Sequence, residues 1–147
     1  TGPMGAFYLR PVTKPLLFLA GGTGLAPFLS MLELLAASDA GQPIRMFYAV
    51  TRDSDLVELD RLNELAAKLP NLTLHTIVAD AASSHAKKGF VTDHLSAGDL
   101  WDGVADLYLC GPPPMVEAVR AHLVKIGIMP ATFHFEKFNP AEAKAAA

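Results

Sequence analysis

This 147-residue chain has one cysteine, one tryptophan and no excess of basic residues. A single cysteine excludes an internal disulfide framework and fits a reducing compartment, so a cytoplasmic location is expected. The formal net charge of −3 offers no electrostatic footing for nucleic acid, and no basic run is interleaved with aromatics. No apolar run approaches membrane-spanning length, so no membrane association is expected. The first ten residues lack the basic start and apolar core of a signal peptide. The five histidines, His75, His85, His94, His122 and His134, are scattered without ligand spacing, so no metal site is expected. Neither the G-x-G-x-x-G fingerprint nor a P-loop occurs. There is no nucleophile elbow of the serine hydrolases. The chain opens on Thr1 rather than Met, which suggests a processed product or a piece of something longer.

What is present is a core. The chain is 51% apolar and long enough for one domain. Its organising stretch is Leu16-Leu17-Phe18-Leu19-Ala20-Gly21-Gly22-Thr23-Gly24-Leu25-Ala26-Pro27. An apolar run of strand length meets three glycines, and a helix with a wide apolar face follows from Leu25 to Leu35. Glycine lets a backbone turn sharply and approach an anion closely. Free N–H groups at a helix start, with the dipole behind them, favour a pyrophosphate. The plainer reading is a tight strand-to-helix turn without a ligand.

Upstream, Ala6-Phe7-Tyr8-Leu9 reads as a short strand without a partner, and Pro11 to Pro15 as a linker. Residues 1–13 are therefore expected to end a preceding domain, residues 14–138 to form the nucleotide domain, and residues 139–147 a tail. Downstream, strands are expected at Ile44–Val50, Leu72–Val78, Asp106–Cys110 and Ala131–Glu136. The third alternates as an edge or half-buried strand would. Leu59, Leu62, Leu65, Ala66 and Leu69 recur at helical spacing, as do Met115, Val116, Val119, Leu123 and Ile126. Gly127 is a helix stop. Gly89–Leu95 reads as a short helix start with Thr92 or Asp93 as its cap. The small and polar stretch from Ala79 to Lys88 reads as a mobile loop. Alternating strands and helices imply an α/β fold: a doubly wound, five-stranded parallel sheet in the order 3-2-1-4-5. Its switch point, where ligands bind, lies between strands one and four. That sets the Gly21–Gly24 turn beside a second turn, Cys110-Gly111-Pro112-Pro113-Pro114-Met115, stiffened by three prolines. Cys110 ends a buried strand, and as a residue type it reads first as a small buried hydrophobe.

Gly21-Gly22-Thr23-Gly24 with Pro27, and Cys110-Gly111-Pro112-Pro113 with Met115, resemble the paired signatures of the ferredoxin–NADP reductase superfamily. Asp55-Leu56, Gly89-Phe90-Val91-Thr92 and the closing Phe135-Glu136-Lys137-Phe138 extend the resemblance along nearly the whole chain. The opening Gly2-Pro3-x-Gly5-x-Phe7 is similar to the end of that superfamily's flavin-binding barrel. Within it, the Phe-Glu-Lys-Phe ending is most similar to the reductase component of benzoate-type ring-hydroxylating dioxygenases.

The resemblance implies a function. NADH would give a hydride to a flavin, FAD, which would pass electrons singly to a 2Fe–2S centre feeding an oxygenase component. Gly21, Gly22, Thr23 and Gly24, with Pro27 behind them, would cradle the pyrophosphate. Thr23 would also lie near the nicotinamide. Cys110 would pack beside its reacting carbon without bonding to it, flanked by Gly111, Pro112 and Met115. Glu136 would hydrogen-bond near Cys110 or the nicotinamide, and Phe138 would lie near the flavin. Arg52 and Asp53, after the second strand, would decide between NADH and NADPH. An acidic residue there binds ribose hydroxyls and a basic one attracts a 2′-phosphate. The two stand side by side, and the lack of a positive cluster favours NADH. The Arg-x-Tyr-Ser/Thr pattern of a flavin barrel is absent, and one cysteine cannot hold a 2Fe–2S cluster. Both groups would sit on other domains of the same polypeptide or on a partner such as a ferredoxin, and this chain alone would be inactive. Two other readings stand beside this one: an S-adenosylmethionine-dependent methyltransferase, and a nucleotide-binding or electron-transfer subunit without chemistry of its own.

Overall fold

The structure, a computed structural model, describes residues 7–38 and 41–137. Five strands, β1 (Leu16–Gly21), β2 (Ile44–Val50), β3 (Leu72–Val78), β4 (Asp106–Gly111) and β5 (Thr132–Lys137), form one sheet. Every neighbouring pair is parallel and the order is β3-β2-β1-β4-β5. Three helices, α1 (Ala26–Ala36), α2 (Leu59–Ala67) and α3 (Pro113–Ile126), supply the crossovers after β1, β2 and β4. β1 and β4 are buried at every position, as central strands covered on both faces must be. β3 and β5 are half-exposed edges.

Strand alternation sorts the core into two layers. Leu16, Phe18 and Ala20 face α1 and α2 together with Tyr48, Tyr108 and Cys110. Leu17 and Leu19 face Val116, Val119 and Leu123 of α3, with Leu107 and Leu109 alongside. Burying each of these leucine, valine and phenylalanine side chains stabilises the fold by about 1.5–3 kcal/mol. α3 stops at Gly127, whose φ of 69° is left-handed and free of a Cβ penalty.

Three expectations change. The crossover from β3 to β4 contains no α-helix; it uses two 3-10 turns, Val91–Asp93 and Ala97–Gly103. Val91 and Leu100 in these turns and Leu95 between them are spaced too irregularly for a helical stripe, yet they seal the α3 face of the sheet. Within the second turn Trp101 (φ 47°) and Asp102 (φ 55°) are left-handed, and the Arg45 guanidinium lies 5.1 Å from the Trp101 ring centre while pairing with Asp99 at 2.8 Å. In the first turn Asp93 does cap, but from the third position: its Oδ2 accepts the Phe90 N–H at 2.8 Å. Phe7–Leu9 forms no strand. Phe7 is buried edge-on against Phe28 and Tyr108, 5.7 and 6.1 Å between ring centres, so aromatic packing holds this segment on the domain. Ala6, Phe138 and the tail lie outside the described residues.

Candidate functional site: a cleft between two glycine turns

At the carboxyl ends of the strands lies a cavity of about 830 Å³. Gly21, Gly22 and Thr23 form one wall, and Pro112, Pro114 and Met115 the facing one. Tyr48, Val50, Thr51, Asp55, Val57 and Glu58 extend it past β2, and Gly89 to Thr92 close the far side. The volume suits a dinucleotide-sized ligand rather than an ion.

The glycines divide the work. Gly22 has φ 56°, which a side chain would strain. At Gly21 a Cβ would run into the Met115 sulfur, and at Gly111 it would come within 2.7 Å of the same sulfur. Met115 therefore fills the space that two absent side chains leave, and its thioether becomes part of the floor. Gly24 faces away from the cavity. A Cβ there would collide with the Cys110 carbonyl, so Gly24 serves close packing of the turn on β4.

No side chain caps the Gly22–Leu25 turn, and neither it nor α1 has an acidic residue in its first turn. Pro27 sits in the first turn of α1, where its missing N–H and fixed φ are no handicap, and it does not line the cavity. α3 starts with Pro113 and Pro114, which have no N–H to offer. An anion in this cleft is therefore served by the first turn; the second supplies a stiff apolar wall.

Cys110 and Glu136 are register partners across β4 and β5. Cys110 is fully buried and lies behind the cavity wall rather than in it. Burial, reinforced by the Glu136 charge, pushes its thiol up to about 12. It is a neutral thiol, unsuited to nucleophilic attack. Burial likewise raises the Glu136 carboxyl.

The loop after β2 rearranges the expected roles. Arg52 and Asp53 are exposed and line no part of the cavity. Asp53 Oδ1 instead accepts the Ser83 hydroxyl at 2.7 Å. The carboxylates on the cavity are Asp55 and Glu58. Asp55 is fixed twice: its Oδ2 accepts the Arg52 N–H at 3.0 Å, and its carbonyl accepts the Tyr48 hydroxyl at 3.1 Å. Burial, then the Asp55 and Glu58 charges, raise the Tyr48 pKa, so that hydroxyl remains a donor. Asp55 was legible only as part of a motif, and Glu58 not at all.

An aromatic at the mouth was legible in the sequence only as part of the Gly89–Thr92 motif, without a role. Phe90 is 67% exposed and Val57 76%, and both line the cavity. The backbone under Phe90 is pinned. Gly89 donates to the Val78 carbonyl at 3.0 Å, and the Lys88 carbonyl hydrogen-bonds His94 Nε2 at 2.7 Å. An apolar ring held in water on a fixed backbone is a ready stacking surface.

A doubly wound sheet with a glycine turn at its switch point defines a nucleotide-binding domain. Residues 18–121 match the oxidoreductase NAD-binding domain family, and the chain belongs to that family. It is 51% identical over 137 residues to the toluate 1,2-dioxygenase electron transfer component of Pseudomonas putida, covering 93% of this chain and 41% of that protein. It is 50% identical over 141 residues to the 2-halobenzoate 1,2-dioxygenase electron transfer component of Burkholderia cepacia, covering 95% of this chain and 42% of that protein. The crystal structure of the Amycolatopsis cytochrome P450 reductase GcoB superposes with a TM-score of 0.79 at 32% identity, covering 95% of this chain and 43% of that one. The chain thus spans about two-fifths of the length of these relatives. Family membership sets the methyltransferase reading aside. No helix among the described residues is long and apolar enough to cross a membrane, and no cluster of metal-ligating side chains occurs among them.

Proposed function

We propose that this chain is the nicotinamide-binding domain of a flavin-dependent reductase that delivers electrons to an aromatic-ring oxygenase. The cleft itself carries the nucleotide-binding part of this, and the similarity to the toluate and 2-halobenzoate 1,2-dioxygenase electron transfer components supports the rest. The cleft pairs an uncapped glycine turn with a stiff proline wall, and its far end bears an exposed aromatic and two carboxylates.

The residues divide the ligand between them. N–H groups of the Gly21–Gly24 turn hold the pyrophosphate. Phe90 and Val57 hold the adenine ring. Asp55 and Glu58 accept hydroxyls of the adenosine ribose and repel a 2′-phosphate, which favours NADH over NADPH. Thr23, Pro112 and Met115 bound the nicotinamide end, with Cys110 packed behind the wall and Glu136 beside it on β5. When bound, NADH would supply a hydride for the FAD of a neighbouring domain, and a 2Fe–2S centre elsewhere would carry the electrons onward one at a time. This chain's share is to bind and orient the nucleotide. Residues 1–13 would join it to the flavin domain. The remaining partners would be an iron–sulfur domain or ferredoxin and the oxygenase component.

Calorimetric titration of the 147-residue chain with NADH and NADPH, followed by FAD and a one-electron acceptor, tests this. NADH binding in preference to NADPH, without acceptor reduction, is the expected result. Acceptor reduction that appears once the flavin domain is joined would complete it. Binding of neither nucleotide, even in the joined protein, would overturn the reading. Nucleotide binding with no reduction in the joined protein would favour a binding subunit without chemistry.

A further inference from the structure

The segment 79–88 is threaded by a chain of hydrogen bonds that the proposed function does not use. Ser83 is 5% exposed, one of three buried polar or charged residues among those described. Its hydroxyl donates to Asp53 Oδ1 at 2.7 Å and accepts the His85 N–H at 3.0 Å. The His85 ring reaches back to the edge strand: Nε2 lies 2.7 Å from Thr76 Oγ1 and 3.0 Å from the Thr76 carbonyl. A carbonyl only accepts, so Nε2 carries the proton in that contact. Two backbone bonds run parallel to this relay. Ala79 N–H donates to the Val50 carbonyl and Asp80 N–H to the Thr51 carbonyl, both at 2.9 Å.

We infer that Ser83 and Asp53 form a latch that positions the Arg52–Asp55 loop and so sets the nucleotide preference of the cleft. The inference rests on the nucleotide reading above. Asp53 is then a positioning residue, turned toward Ser83, and its loop neighbour Asp55 is the carboxylate that meets the ligand. The loop is exposed throughout, so little apolar packing fixes it. The hydrogen bond from the buried Ser83 hydroxyl is a tie to this loop through the Asp53 side chain, beside the Tyr48 hydroxyl on the Asp55 carbonyl and the Asp80 N–H on the Thr51 carbonyl. The Thr76–His85 contacts fix the other end of the relay to β3, so the latch is anchored in the sheet rather than in a second loop.

The test measures NADH and NADPH affinities of the full chain and three variants by calorimetry, with melting temperatures alongside. Ser83→Ala and Asp53→Ala both break the latch. Asp53→Asn keeps an acceptor oxygen for Ser83 but removes the charge. The expected result is an NADH affinity about fivefold weaker in both alanine variants, with NADPH affinity unchanged, and a near-normal preference in Asp53→Asn. If Asp53→Asn matches Asp53→Ala, the Asp53 charge acts on the ligand directly and the latch is overturned. If Ser83→Ala keeps NADH binding and its preference, the latch is equally overturned. Asp53 is exposed, so Asp53→Ala still reports should Ser83→Ala fail to fold. If the unsubstituted chain binds neither nucleotide while melting cooperatively, the nucleotide reading fails and carries this inference down with it.

Discussion

Gly24 stands against the carbonyl of Cys110, so close that a methyl group on its Cα would lie 2.7 Å from the carbonyl carbon. The two residues belong to the two turns that face each other across the switch point. Their contact joins the turns at the base and leaves the cleft open above. Gly22, two residues earlier, meets nothing within 4 Å of its absent Cβ, but its φ is 56°. The two glycines should therefore fail differently. Gly24→Ala forces backbone apart and should cost about 2–3 kcal/mol. Gly22→Ala strains only its own dihedral and should cost about 1 kcal/mol. Urea denaturation of the two variants checks the order. Equal losses would show that the contact with Cys110 relaxes freely.

Cys110 should be inert in the native protein. With its thiol near 12, about one molecule in ten thousand carries a thiolate at pH 8. An aromatic disulfide reagent at pH 8 should leave it unmodified until denaturant is added, then react with one equivalent. Rapid native labelling would show that the strand end opens. The measurement also bears on the site, because an inert thiol restricts Cys110 to packing and orientation.

Phe90 predicts a separation of binding from stability. Its ring is exposed, so Phe90→Ala should leave the melting temperature unchanged. Stacking of an aromatic on a base is worth about 1–3 kcal/mol, so NADH affinity should fall at least about fivefold. Loss of stability without loss of affinity would place the ring in folding rather than recognition.

Stability should fall in mild acid. His75, stacked on Phe47, and His134, stacked on Tyr108, both have pKa values lowered from the ordinary 6.5. Burial is the main cause in each, with Lys87 adding at His75 and Arg10 at His134. A folded-state pKa below the unfolded value means that the unfolded chain takes up protons first as pH falls. The contribution is complete above 6.5 and is lost as pH drops through the lower folded-state values. Glu136, raised from 4.5, runs the other way: its contribution is present below 4.5 and lost as pH rises. A drop of about 3 °C in melting temperature from pH 7.5 to 5.5 is expected, reduced in a His75→Gln/His134→Gln variant. An unchanged melting temperature across that range would refute the assignment.

Much of the fold was legible because the signals were local. Ile44–Val50 and Leu72–Val78 read as strands residue for residue, since β-branched and aromatic runs bounded by turn residues leave few alternatives. The strand order expected of a doubly wound fold, from the alternation of strands and helices, is the one observed. The β3–β4 crossover was not legible. Its 3-10 turns carry no period, and its apolar residues find their places only against α3. The stretch from Ala79 to Lys88, expected to be mobile, is tied at Val78, where the N–H donates to the Lys87 carbonyl, and at Ser83 and His85. Its polar composition concealed that its partners are distant in sequence.

The sequence by itself determined the doubly wound sheet, the glycine turn at its switch point and the pairing of that turn with the proline turn. Backbone conformational preference and hydrophobic periodicity act over a few residues, so they are written where they act. Only the tertiary structure decided which side chains line the cleft. It turned Asp53 toward Ser83 and left Asp55 and Glu58 on the cavity. It set Cys110 behind the wall and put Phe90 at the mouth. Those choices depend on hydrogen bonds and contacts between residues far apart in the chain, whose geometry exists only once the sheet has brought them together.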